Sequence, residues 1–304
     1  MSTTASKVEH KLAVGKSISR GYEGLGFTGP MVSPPGKLFG FIVGMPASGK
    51  SSFIQSNPNA LIINADLSST TTDTPLATMW PAMDPESGMP IEPVGSSGHR
   101  TIELTWDKIL QMKESLIILA KGNDPRPETI VLDSLGASIA LVRKYVTKKA
   151  GKEDWKDMDG RRAWDDVYEN LVSFASDLRA AGYGVYYVCH LVNAKIPLGD
   201  DRYTFRPELT ITDSFYKRLF PLFELVAAFE CEIGTETTMI ETEGPGGKKG
   251  PKRPNKTQYK RHYLKVNDEN LNGITKCRVS LPDKFLIPLQ NAWAMFEEMY
   301  LNAR

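Results

Sequence analysis

The chain lacks most of what would tie it to an oxidising compartment, a membrane or a charged polymer. Only three of its 304 residues are cysteine, Cys189, Cys231 and Cys277, and they lie far apart in no metal-ligand spacing. That leaves no disulfide framework and no zinc cluster, and it fits a reducing compartment. No apolar run approaches the ~20 residues needed to span a bilayer. The N-terminus has no apolar signal-peptide region. The expected location is therefore cytoplasmic (the host cytoplasm, for a viral protein), with no membrane partner. The formal net charge is only +1, so no global field draws the chain to nucleic acid, and any such attraction has to be local. There is no internal repeat. What remains is an ordinary globular composition, 41% hydrophobic and 24% charged, in a length that suits one large domain or two small ones.

Against that background one stretch is specific. Gly44-Met45-Pro46-Ala47-Ser48-Gly49-Lys50-Ser51 has two glycines five apart followed by Lys and Ser, the P-loop spacing. Its flanks agree with it. Leu38–Val43 reads as a short buried strand, and Ser51-Ser52-Phe53-Ile54-Gln55 as the first turns of a helix. Glycines let successive backbone N–H groups turn inward around phosphate oxygens, and a helix start adds unpaired donors. The expected phosphate-binding set is Gly44, Pro46, Ala47, Ser48, Gly49, Lys50, Ser51 and Ser52. Lys50 would reach the outer phosphates and the Ser51 hydroxyl would hold magnesium, so the expected ligands are ATP and Mg2+.

Residues 1–36 are rich in Ser, Gly, Thr and Pro and read as a flexible arm. Residues 37–304 read as one domain. Leu61–Asp66 is a second strand, and 67–100 a long irregular connection. Thr105 is placed to cap a helix over Trp106–Lys121 that Gly122 ends. Thr129-Ile130-Val131-Leu132-Asp133 is a buried strand that delivers a carboxylate. Between Arg161 and Ala181, Trp164, Val167, Tyr168, Leu171, Phe174, Ala175 and Leu178 form one apolar helical stripe. Val185–Cys189 is a further strand ending at His190. Residues 191–212 read as a polar loop, Asp213–Phe220 as a helix and Leu225–Ile233 as a strand. Residues 244–261 hold seven Lys/Arg, no acid and four glycines, and read as a mobile basic hairpin tip. Tyr263–Val266 and Thr275–Ser280 read as strands. Leu289, Trp293, Phe296 and Tyr300 mark a closing helix. Strands alternating with helices predict an α/β fold around a mainly parallel sheet, with a β-rich C-terminal extension.

In such sheets ligands bind at the C-terminal strand edge. Asp133 fits the residue that orders the magnesium water shell, or else a turn cap. Hydrolysis also needs a group that orients water. The residue after Asp133 is Ser134, so a catalytic carboxylate has to come from elsewhere. Asp66 is the first candidate and Glu103 the second, unless Asp66 only anchors its loop. His190 is either a sensor of the terminal phosphate or an ordinary edge histidine. Two basic segments are candidate nucleic-acid contacts. In 143–162, Arg143, Lys144, Lys148, Lys149, Arg161 and Arg162 accompany Tyr145 and Trp155 among four acids. The other is 244–261. Basic residues neutralise phosphates and aromatics stack on single-stranded bases, although charge runs are often just solvated surface.

The succession of the Gly44–Ser51 loop, Leu61–Asp66, Thr129–Ser134 and Val185–His190 resembles the RecA-like P-loop ATPases, and within them the phage-encoded single-strand-annealing or recombination ATPases. Lys276-Cys277-Arg278 before Leu281-Pro282 is similar to a Lys-x-Arg strand late in that fold. The resemblance implies a DNA-stimulated ATPase of recombination, annealing or replication. It implies single-stranded DNA as partner, a homo-oligomeric ring or filament, and a single-strand-binding protein as a further partner. It implies that Lys50, Asp66, Asp133 and His190 act in catalysis and that Ser51 and Asp133 hold the metal. Residues 135–162 and 191–210, with Lys195 and Arg202, correspond to its DNA-facing loops. Lys276 and Arg278 correspond to fingers reaching a neighbouring subunit's ATP. Asp66 stands where that family usually has Glu. Two other readings stay open: a nucleotide or small-molecule kinase with Arg202 and Arg206 on a lid, and a non-hydrolysing NTP-binding assembly protein.

Overall fold

Six residues without polar alternation, Phe39–Gly44, form strand β1, and all six are buried. Such a run is stable as a strand only when both faces of the sheet are covered. Phe39, Phe41 and Val43 enter one core, and Leu38 and Ile42 enter the other. That division is the two-residue period of a strand. The computed structural model describes residues 33–65, 78–79, 104–122, 127–199, 202–243, 249–266, 275–277 and 279–303.

The remaining strands are β2 (Ala60–Asn64), β3 (Thr78–Met79), β4 (Thr129–Asp133), β5 (Gly184–Gly199), β6 (Arg202–Leu209), β7 (Leu225–Glu243), β8 (Lys249–Lys265), β9 (Lys276–Cys277) and β10 (Lys284–Leu286). Six of them are parallel neighbours in the order β3-β2-β4-β5-β1-β7. Beyond β7 the sheet turns antiparallel through β8 and β10, and β9 also pairs with β7. The helices are α1 (Lys50–Gln55), α2 (Trp106–Lys121), α3 (Leu135–Lys149), α4 (Gly160–Ala180), α5 (Asp213–Leu219) and α6 (Ala292–Asn302). Residues of α2, α3, α4 and α5 fill the core on one face, and those of α1 and α6 the core on the other. This is the RecA-like P-loop NTPase architecture, with a C-terminal β-rich extension.

Local signals explain several elements. Thr105 caps α2 by accepting the Lys108 N–H at 3.4 Å, and Gly122 ends it. The stripe of α4 buries Val167, Leu171, Phe174, Ala175 and Leu178, while Trp164 and Tyr168 lie at its rim against Phe215. Phe53 of α1 packs among Phe229, Trp293 and Phe296. Each such ring pair contributes roughly 0.5–1.5 kcal/mol beyond burial. The Trp293 N–H donates to Ser56 Oγ at 2.8 Å, so the closing helix braces the short helix behind the glycine loop.

The structure corrects the sequence reading in several places. Residues 191–209 are not a polar loop. The outer half of β5 continues past His190 and pairs antiparallel with β6. Of the basic segment 244–261, residues 249–261 belong to β8 and pair with β7, and 244–248 lie outside the described residues. Prolines there suggested loop, yet an outer strand tolerates them because its free edge needs no N–H. The second strand ends at Asn64, and β9 spans two residues rather than Thr275–Ser280. Leu289 precedes α6. Residues 34–36, read as the end of the arm, are tied to the sheet. Pro35 and Gly36 are buried, and their carbonyls accept from Tyr186 and Thr129. Residues 1–32 and most of 67–100 lie outside the described residues.

Candidate functional site

Strands β5, β1 and β4 are neighbours with β5 in the middle: the glycine loop follows β1, Asp133 ends β4, and His190 lies within β5 at the level of Gly44. In register, Gly44 pairs with His190 and with Phe229, while Asp133 pairs with Val188. The loop needs its glycines. A Cβ on Gly44 would lie 2.6 Å from Ser48 Oγ and 2.7 Å from the Phe229 carbonyl. Gly49 has φ +104°, and a Cβ there would lie 2.9 Å from His262 Nδ1. Ala47 is also left-handed at φ 60°. Left-handed residues on both sides of Ser48 make the concave backbone that binds anions. Helix α1 has only six residues, so this cradle, rather than a helix dipole, would be the anion-binding feature.

Inside the cradle, Ser48 Oγ is buried and has no hydrogen-bond partner among the described residues. Leaving such a group unpaired costs roughly 1–3 kcal/mol, which a phosphate oxygen would relieve. Lys50 is 4% exposed. Its Nζ donates to the carbonyls of Gly44 at 2.7 Å and Met45 at 2.8 Å. Burial pushes its pKa down to about 8, and the negative charge of Asp133 offsets part of that shift. Ser51 Oγ donates to Asp133 Oδ2 at 3.2 Å. Two oxygens that suit a magnesium ion therefore meet, although they come from segments 82 residues apart. Ser134 does not take part. It caps α3, accepting from Ala137 N at 3.5 Å. His190 is half-buried, and its carbonyl accepts from Thr210 N at 3.0 Å. The residues fit a magnesium nucleotide by their cradle, orphan hydroxyl and donor chemistry.

The sequence reading missed His262. It is buried on β8, with Nδ1 2.8 Å from the Ser48 carbonyl. A carbonyl only accepts, so Nδ1 carries the proton. This bond ties the glycine loop to the β7–β8 ribbon. The one available signal was period two, because His262, Leu264 and Val266 are buried in alternation. Nothing local says that this face meets residue 48, which lies 214 positions away.

The lowered pKa of Lys50 has a testable sign. Below about pH 8 the ammonium is charged before an anionic ligand arrives, and above it the ligand has to bind with uptake of a proton. ATP affinity is expected to be flat from pH 6 to 7.5 and then to fall, approaching about tenfold per pH unit once Lys50 is neutral. Calorimetric titration in two buffers of different ionisation enthalpy should show proton uptake near pH 8.5. Affinity that is constant to pH 9.5 would contradict this state of Lys50.

The basic candidates separate into groups. Arg143, Lys144 and Lys148 line an open depression of about 520 Å³ together with Lys152 and Trp155. The Arg143 guanidinium stacks 4.5 Å above Trp155 and 5.5 Å from Trp164. Lys149 is exposed beside Tyr145. Arg161 and Arg162 are exposed in the first turn of α4 and do not line that depression. Because α3 starts directly after Ser134, Arg143–Lys148 lie about 15–22 Å along one helix from Asp133. Lys195 is exposed on the β5–β6 hairpin opposite Phe205. Arg206, a lid candidate, pairs with Glu208 at 3.0 Å. Lys276 pairs with Val226, three residues or about 10 Å back along β7 from the level of Gly44, with Nζ 5.2 Å above the Phe220 ring. Asp66, Glu103, Arg278 and the side chain of Arg202 lie outside the described residues. Among the described residues no three His, Cys, Asp or Glu cluster as a metal site, and no helix is long and apolar enough to cross a membrane.

Comparison with known proteins adds a family. A model described as an AAA domain, AAA_24, matches residues 37–262. Three solved structures are similar to the chain. A KaiC-like protein from the hyperthermophilic archaeon Pyrococcus horikoshii OT3 has 11% identity over 85% of this chain and 89% of its own, with a TM-score of 0.38. The flagellar accessory protein FlaH from Methanocaldococcus jannaschii has 11% identity over 84% and 86%, with a TM-score of 0.36. The RadB recombinase has 11% identity over 85% and 91%, also with a TM-score of 0.36. No curated protein matches.

Proposed function

This chain belongs to the AAA_24 family of AAA domains, and on that premise we propose that it binds ATP with Mg2+ at Gly44–Ser51 and hydrolyses it. The observation that carries this reading is the meeting of Ser51 and Asp133 at 3.2 Å beside buried Lys50. The cradle backbone and Ser48 Oγ bind the phosphates, and Lys50 supplies a positive charge in a dry setting where it counts most. Ser51 and Asp133 hold Mg2+, which when bound neutralises charge that builds on the phosphate oxygens. His190, in register with Gly44, reports the state of the loop to the β5–β6 hairpin. Asp66 is the carboxylate assigned to the attacking water.

The polymer acted on is single-stranded DNA, and recombination, annealing or replication is its setting. What supports this is the depression on α3. Arg143, Lys144 and Lys148 of α3 and Lys152 of the following loop line it together with Trp155, beside Glu153 and Asp154, a net basic surface for phosphates with a ring for a base. The same helix begins beside the Mg2+ ligand Asp133, so it can couple nucleotide state to grip. Copies assemble as a ring or filament, with Lys276 and Arg278 directed at a neighbour's ATP and a single-strand-binding protein as a further partner.

The test is ATPase activity and oligonucleotide affinity. Single-stranded DNA should raise turnover. Trp155→Ala should weaken oligonucleotide binding roughly 5- to 150-fold, the range of one stacked base. Lys144→Ala with Lys148→Ala should flatten the log–log salt dependence by about 1.4, or 0.7 per phosphate contact. Phosphate transfer to a nucleoside with no DNA effect would favour a kinase instead. Tight ATP binding without turnover would favour an assembly protein.

A further inference from the structure

The β7–β8 ribbon continues beyond the sheet. β7 pairs with β1 only as far as Phe229, and β8 meets β10 only from Tyr263. Among the described residues, 230–243 and 249–261 therefore have no further ladder partner beyond β7 and β8 themselves, and each strand keeps one open edge, while the His262 carbonyl already accepts from Ile287 N at 2.8 Å. Fourteen residues of strand extend about 45 Å. Ile233 and Met239 on this ribbon are 64% and 60% exposed. Pro251 and Pro254 interrupt the row of N–H groups on β8, so what this surface offers a partner is side-chain charge rather than a ladder.

The two edges carry opposite charge. Residues 230–243 hold five glutamates and no Lys or Arg, and residues 249–265 hold seven Lys/Arg and no acid. Pairing within the ribbon matches only some of them. Glu232 stands opposite Arg261, Glu241 opposite Lys252 and Glu243 opposite Lys249. Glu236 instead faces Thr257, Lys256 faces Thr237 and Lys260 faces Ile233. These three are exposed. A polyanion is a poor match for the basic edge, because an acidic strand runs beside it about 4.8 Å away, well inside the screening length. A surface that is acidic on one edge and basic on the other fits a second ribbon of the same kind.

We propose that the β7–β8 ribbon is the contact between copies of this chain, the acidic β7 edge of one copy lying beside the basic β8 edge of the next. The inference rests on the reading above that copies assemble, and it names the surface. Such a contact joins two different edges, so it repeats from copy to copy and builds a ring or a filament. It also reaches the nucleotide site. His262, on β8, holds the Ser48 carbonyl at the root of the ribbon. Assembly and nucleotide affinity should then change each other by the same factor.

The experiment is a charge swap on the full chain, read by sedimentation velocity with and without Mg2+ and a non-hydrolysable ATP analogue. One variant is Glu232→Lys with Glu236→Lys; the other is Lys256→Glu with Lys260→Glu. All four positions are exposed, and circular dichroism and Tm check that the fold is kept. Each variant alone should assemble at least tenfold more weakly than the natural chain. An equimolar mixture should recover assembly, because each basic edge again meets an acidic one. If the natural chain assembles and both variants assemble equally well, the ribbon is not the contact. If the natural chain stays monomeric in every nucleotide state, the assembly reading itself fails and the inference with it. If the second variant loses oligonucleotide binding while assembly is unchanged, the basic edge serves nucleic acid and the inference is overturned.

Discussion

Replacing Lys50 with alanine is expected to lower ATP turnover by at least two to three orders of magnitude with the fold intact. Removing one positioned charge from a dry site typically costs 10²- to 10³-fold in rate, or about 2.7–4 kcal/mol of barrier. Lys50 is a strong case, because it is 4% exposed and its charge is already disfavoured by burial. The preorganisation is therefore built before any ligand arrives. The effect on stability should be small, because two terms oppose. Truncation leaves the carbonyls of Gly44 and Met45 without the Lys50 donor, at roughly 1–3 kcal/mol for a buried acceptor. It also relieves the cost of keeping an ammonium in the interior. Phosphate release, fluorescent-nucleotide binding and Tm measured on the same sample separate these effects. Turnover within tenfold of the natural chain would reject the assignment of the cradle.

Asp133→Asn should have the second largest effect, and it has two readouts. The amide keeps the size of the carboxylate and an oxygen for the Ser51 hydroxyl, so folding should survive. It removes the negative charge that would hold the metal, so turnover should fall at least 10²-fold and the Mg2+ requirement should rise. The second readout follows from Lys50. The Asp133 charge partly offsets the burial that lowers the Lys50 pKa. Without it that pKa drops below about 8. The decline of ATP affinity with rising pH should then begin at lower pH than in the natural chain, because Lys50 turns neutral sooner. A pH profile that superimposes on the natural one would show that the two side chains do not share one electrostatic site. Unchanged Mg2+ dependence would remove Asp133 from the metal.

The parts read correctly from the chain are those with dense local signals. The apolar runs Phe39–Val43, Thr129–Leu132 and Val185–Cys189 are strands because each is buried on both faces. The bounds of α2 follow from a capping threonine and a stopping glycine. The parts misread had their signals distributed over distance. The polar stretch after His190 is a strand only because Arg202–Leu209 returns to pair with it. The basic segment after 248 is a strand only because β7 is long enough to pair with it.

Residue types and spacing alone determined the phosphate loop, the alternation of helix and strand, and Asp133 at a strand end. Each of these rests on short-range chemistry: glycine φ angles, capping, and the period of apolar side chains. Only the tertiary structure decided that β5 lies between the two strands carrying those groups, that Ser51 touches Asp133, and that His262 grips the loop from 214 residues away. Pairing between distant strands depends on how all the apolar faces are satisfied at once, and no single stretch of the chain contains that condition.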